Sequence, residues 1–72
     1  AECDLVLTKA SKAVFAIEIK YSAAPKPTKG NLISFEDINA EMNFIITPNS
    51  DDFLIAKNIR VCSIYDFITK YL

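Results

Sequence analysis

Four charged residues stand at spacings that could do chemistry: Glu2 and Asp4 near the start, then Glu18 and Lys20. Side chains two apart in an extended strand point to the same face, so each pair would present its groups side by side. If the two segments lie next to each other, three carboxylates and one ammonium meet at one place. Carboxylates so close repel one another, and a hard divalent cation, Mg2+ or Mn2+, relieves that repulsion. Such an ion activates water and stabilises charge developing on a phosphodiester. Lys20 would hold the attacking water or shield the negative charge. The competing reading is a polar rim, where the same charges form ordinary surface ion pairs of little energetic weight.

The elements that must position these residues read as two strands. Ala13-Val14-Phe15-Ala16-Ile17-Glu18-Ile19-Lys20 is rich in β-branched and aromatic residues and apolar for most of its length. Upstream, residues 2–8 alternate, with Glu2, Asp4 and Val6 on one face and Cys3, Leu5 and Leu7 on the other. Lys9-Ala10-Ser11-Lys12 is a short polar break that favours an antiparallel hairpin. It lacks an Asn-Gly or Asp-Gly pair, so the turn type stays open.

Residues 22–30 form the main break, because Pro25 and Pro27 exclude helix and sheet interior alike. Thr28 is placed to cap a helix over residues 31–39, where Leu32, Ile33, Phe35 and Ile38 recur at helical spacing. The free N–H groups of its first turn, beside Lys26 and Lys29, make a candidate phosphate contact. Residues 43–47 read as an interior, parallel strand. Residues 48–52 read as a turn and residues 53–55 as a short extended piece. Residues 59–62 form the last strand. Ser63 opens a C-terminal helix, with Asp66 as the acidic half of a capping box. Ile64, Phe67, Ile68, Tyr71 and Leu72 line one apolar face of it. The fold class is therefore α/β, a mixed sheet in the order β-β-α-β-β-α. A right-handed crossover would bring the helix-linked strands parallel.

The 72 residues amount to one small domain, residues 1–72, and the 51% apolar content suits a compact core. Eight Lys and Arg against nine Asp and Glu leave a net charge of −1, so nucleic-acid binding would rest on a local patch at Lys12, Lys26 and Lys29. With two cysteines and no histidine, a zinc site is excluded in favour of two reduced thiols and a cytoplasmic setting. No apolar run reaches the roughly 20 residues that a bilayer needs, and no signal-peptide pattern is present, so no membrane partner is expected. The start at Ala1, directly ahead of a strand, suggests a piece of a longer protein.

Glu2-x-Asp4 followed by Phe15-Ala16-Ile17-Glu18-Ile19-Lys20 resembles the D…(D/E)-x-K motif of the restriction-endonuclease-like nuclease superfamily. Ala16-Ile17-Glu18-Ile19-Lys20-x-Ser22, a Pro/Lys-rich loop, Phe44-Ile45-Ile46-Thr47-Pro48 and Asn58-Ile59-Arg60-Val61-Cys62-Ser63 look more closely like the C-terminal domain of prokaryotic AAA-type ATPases of the DUF4143 group. The resemblance implies a restriction-endonuclease-like sheet lacking its first helix and strand here, and an accessory domain of an ATPase. It implies Mg2+- or Mn2+-dependent phosphodiester hydrolysis, or else a catalytically silent interaction or regulatory module. Asp4 and Glu18 would be metal ligands, the carbonyl of Ile19 a further ligand, and Lys20 the catalytic lysine. Glu2 matches an acidic position of the ATPase group, and Ser22 would lie at the edge of the site. The ATPase motif G-x-x-x-x-G-K-[ST] does not occur in these residues, so the parent ATPase domain is an expected partner outside them, alongside DNA. With the first strand missing, the edge of strand 2–8 would be unpaired, and either a homodimer through it or an exposed edge is expected.

Overall fold

In the computed structural model, which describes residues 3–22 and 26–72, the run Lys12–Ile19 forms the strand β2 that organises the chain. It pairs antiparallel with β1 (Leu5–Lys9) on one side and parallel with β3 (Met42–Thr47) on the other. Beyond β3 lie β5 (Ile59–Ser63), parallel to it, and β4 (Phe53–Ala56), antiparallel to β5. The mixed sheet is ordered β1-β2-β3-β5-β4. Among the described residues the chain thus runs β-β-α-β-β-β-α, one strand more than the sequence reading. The piece at 53–55 is a sheet member because the two-residue turn Lys57-Asn58, with Asn58 at φ 61, folds it back onto β5.

The β1–β2 turn is of the primed kind, since Ala10 and Ser11 both have positive φ (53 and 65). That backbone matches the right-handed twist of the strands, at a local cost for residues with a Cβ.

The helix between β2 and β3, α1 (Lys29–Ile38), starts where Thr28 Oγ1 accepts from Asn31 N–H at 3.1 Å and Asn31 Oδ1 accepts from Thr28 N–H at 2.9 Å. It ends at Asn39, a left-handed cap. Its Phe35 and the following Ala40 pack on one sheet face with Ala16, Ile45, Ile59 and Val61. The opposite face carries Ile17, Phe44, Ile46 and Cys62 against Phe67.

Ser63 caps the C-terminal helix by accepting from Asp66 N–H at 3.0 Å, but the Asp66 carboxylate points toward Lys70, 4.0 Å away. The first turn is α-helical, α2 (Ile64–Asp66), and then Phe67–Tyr71 widens to a π-helix, with Leu72 N–H bonded to Phe67 O at 3.0 Å. This changes which residues are buried. Phe67 and Tyr71 both stack on Phe44, each with ring centroids 4.9 Å away. Ile64, Ile68 and Leu72, expected on the same buried face, are exposed.

No helix is long and apolar enough to cross a membrane, among the described residues. Cys3 and Cys62 are both free thiols; burial pushes the Cys62 thiol up to about 11.

Candidate metal centre

Strand β1 begins at Leu5, later than the sequence pattern suggests, because the chain bends at Asp4. Aspartate is poor in strands and readily turns its carboxylate onto nearby backbone groups. Here Asp4 Oδ2 accepts from the backbone N–H of Ile19 at 2.8 Å, in the place where a strand carbonyl would stand. The bend also breaks the alternation of faces. Cys3, expected beside Leu5 and Leu7, instead packs against the α1-side cluster, while Leu7 lies on the other side. Cys3 Sγ donates to Ile17 O at 2.9 Å, so two successive side chains of this bend bind the end of β2.

Glu18 reaches the same corner from β2. In the parallel register it lies beside Ile45, on the α1 face, and it is half-buried. The last two pairs of the hairpin are Val6 with Ala16 and Leu5 with Ile17. The ladder ends there, and beyond it the Asp4 side chain is tied to the backbone of Ile19. The Cys3 thiol registers both burial and charge: desolvation raises it, backbone hydrogen bonds partly offset that, and the negative charge of Glu18 raises it further. Cys3, Asp4 and Glu18 thus share one corner.

Lys20 closes β2. Its N–H donates to Ile46 O at 2.9 Å, toward β3. Backbone groups of successive strand residues point to opposite edges, so the N–H and carbonyl of Ile19 both point toward the Asp4 side. Among the described residues no ion pair joins Lys20 to Asp4 or Glu18.

The structure therefore brings Asp4, the Ile19 backbone and Glu18 to one end of the hairpin, with Lys20 next in the chain. Glu2 lies outside the described residues, and so does part of the loop that carries Lys26. Lys26 and Lys29 are exposed ahead of and within the first turn of α1. Among the described residues no three His, Cys, Asp or Glu side chains come together as a metal-holding group. The donors at the hairpin end are two carboxylates and a carbonyl, all hard oxygens of the kind that Mg2+ and Mn2+ take, with water completing the shell. Asp4 Oδ2 is already engaged by the Ile19 N–H. The chemistry of these oxygens suits such an ion, but the described residues do not gather into a group that holds one.

Sequence reasoning missed a second polar centre. Asp52, read only as part of a turn, accepts from Arg60 at 2.6 Å, Tyr71 Oη at 2.6 Å and Lys70 at 3.4 Å, with its side chain 10% exposed. Burial raises its carboxyl, but the hydrogen bonds from Tyr71, Arg60 and Lys70 outweigh this and hold it below the ordinary value. Burial and the Asp52 carboxylate push the Tyr71 phenol up to about 12. This centre clasps the C-terminal helix to the sheet. Its partners lie 8 to 19 residues away in sequence, so no local pattern announces it.

Comparison with family models, with curated proteins and with solved structures gives no match.

Proposed function

We propose that this domain is a nuclease-type module whose hairpin end, Asp4, Glu18 and the Ile19 carbonyl, holds a divalent cation and directs water at a phosphodiester. The observation that carries the reading is the 2.8 Å bond from Ile19 N–H to Asp4, which ties the first carboxylate to the segment bearing Glu18 and Lys20. A bound Mg2+ or Mn2+ would supply a water of lowered pKa and charge neutralisation at the phosphate. The chain's own residues supply the rest. The Asp4–Ile19 bond fixes one carboxylate before any ligand arrives, so little ordering remains on binding. Lys20, held at the strand end by its N–H bond to Ile46, offers an ammonium to orient water or to stabilise charge on the phosphoryl oxygens.

The resemblance to the nuclease superfamily and to the C-terminal domain of AAA-type ATPases supports the same reading. It suggests DNA as substrate, a cytoplasmic setting, the parent ATPase domain as a neighbour, and Glu2, Ser22, Lys26 and Lys29 as peripheral contacts. Edge strand β1 is the proposed site of association with a second copy.

Two observations favour a second reading. Asp4 already has a structural duty at Ile19, and among the described residues no trio of ligating side chains gathers. A catalytically silent module attached to an ATPase accounts for both facts. Cleavage of DNA with Mn2+ by the chain and by Lys20→Ala separates the two. The nuclease reading expects metal-dependent cleavage that Lys20→Ala lowers by about a hundredfold or more. Equal activity of the two proteins, or none, sinks it.

A further inference from the structure

Tyr21 follows Lys20 directly and is 88% exposed, more than any other large apolar side chain described. It is the common wall of two adjoining clefts at the carboxyl ends of the parallel strands β2 and β3. One, of about 380 Å3, is lined by Tyr21, Ser22, Thr47, Pro48, Asn49 and Ser50 and is rich in hydroxyl and amide groups. The other, of about 280 Å3, is lined by Ile19, Tyr21, Ile46, Thr47, Pro48 and Ile64 and is mostly aliphatic. The shared wall is held in shape. Thr47 is buried at the end of β3, and its Oγ1 accepts from Ser50 N–H at 3.1 Å, which fixes the turn through Pro48 and Asn49.

Open sheets with parallel strands bind ligands in the crevice at the strands' carboxyl ends. A ligand for this crevice needs a flat apolar part beside a polar part. An exposed aromatic ring next to an aliphatic pocket is a stacking platform, and every nucleobase has a face to stack. We infer that the paired cleft is a nucleotide subsite for single-stranded DNA, with one splayed base against Tyr21 in the aliphatic compartment and its sugar-phosphate among the polar groups. The inference rests on the phosphodiester-directed reading above and names the substrate class of that same site. A duplex keeps its bases stacked inside and has none to offer Tyr21. Glu18 lies three residues before Tyr21 and on the other face of β2, so a strand reaching both passes around the carboxyl end of the sheet.

The test is fluorescence anisotropy of a labelled oligothymidylate, about ten nucleotides long, with the chain in EDTA, so that no metal contributes. Tyr21→Ala should weaken binding about tenfold or more, while Tyr21→Phe, which keeps the ring, should stay within about twofold. Because Tyr21 is exposed, both variants should melt as the wild type does. Equal binding by Tyr21→Ala, no binding of the oligonucleotide, or equally tight Tyr21-dependent binding of the matching duplex overturns the inference. Tyr65→Ala, which removes an exposed ring outside both clefts, should leave oligonucleotide binding in EDTA unchanged, and a loss equal to that of Tyr21→Ala overturns the inference. Failure to bind Mn2+ together with Tyr21-dependent oligonucleotide binding removes the metal reading alone.

Discussion

Asp4 Oδ2 accepts a 2.8 Å hydrogen bond from the backbone N–H of Ile19, the residue between Glu18 and Lys20. One side chain thereby ends the β1–β2 ladder and sets a carboxylate against the segment with the chemistry. The two duties can be separated. Asp4→Asn keeps an acceptor for Ile19 N–H and should hold stability within about 0.5 kcal/mol, whereas Asp4→Ala leaves that N–H without it and should cost about 1 kcal/mol. Hydrogen exchange checks this directly. The Ile19 amide should exchange at wild-type rate in Asp4→Asn and faster in Asp4→Ala.

The Asp52 clasp makes stability depend on pH at both ends. Asp52 lies below its ordinary value of 3.8, so its contribution is present above that value and is lost as pH falls through the lower folded value. Tyr71 lies at about 12 against an ordinary 10.0. Its contribution is full below pH 10 and fades as pH rises toward 12. Asp52→Asn should cost about 2 kcal/mol at neutral pH and flatten the acid limb of stability in urea titrations. Tyr71→Phe should cost about 1 kcal/mol and flatten the alkaline limb.

Ala10 and Ser11 hold a turn that suits Asn-Gly better than the residues present. Replacing them with Asn and Gly should raise stability by about 1 kcal/mol, read as a higher thermal midpoint, with no change at the hairpin's far end.

Edge strand β1 leaves the backbone N–H and carbonyl of Val6 pointing away from β2, since Leu5 and Leu7 face Ile17 and Phe15 across the ladder. Two copies meeting there around a two-fold axis would place Val6 against Val6. Sedimentation should reveal a dimer at high concentration, and Val6→Lys, which sets two ammonium groups at the axis, should abolish it without altering circular dichroism. A wild-type monomer at all concentrations contradicts the edge pairing.

Much of the fold was legible because its signals are local. The apolar run at β2, the Thr28 cap, the interior strand at β3 and the Ser63 cap each depend on residues a few positions apart. Besides the Asp52 centre, three features were not legible, for physical reasons. Strand β4 is four residues long, and only its pairing with β5 makes it a strand. The π-helical turn, in which Phe67 and Tyr71 both lie against Phe44, is a contact across the fold that helical periodicity cannot register. The bend at Asp4 arises from a side-chain bond to a residue fifteen positions on. At the candidate site, the spacing put Asp4 and Glu18 on adjacent segments of one hairpin. It did not indicate that Asp4 also completes the ladder.

The central claim is that Asp4 and Glu18 hold a divalent cation at the end of this hairpin. The most direct measurement is Mn2+ titration followed by amide line broadening across the chain. The account predicts selective loss of the Asp4, Glu18, Ile19 and Lys20 signals at low Mn2+, competed by Mg2+ and abolished by Glu18→Ala. Uniform broadening, or selective broadening at this corner that survives Glu18→Ala, would contradict it.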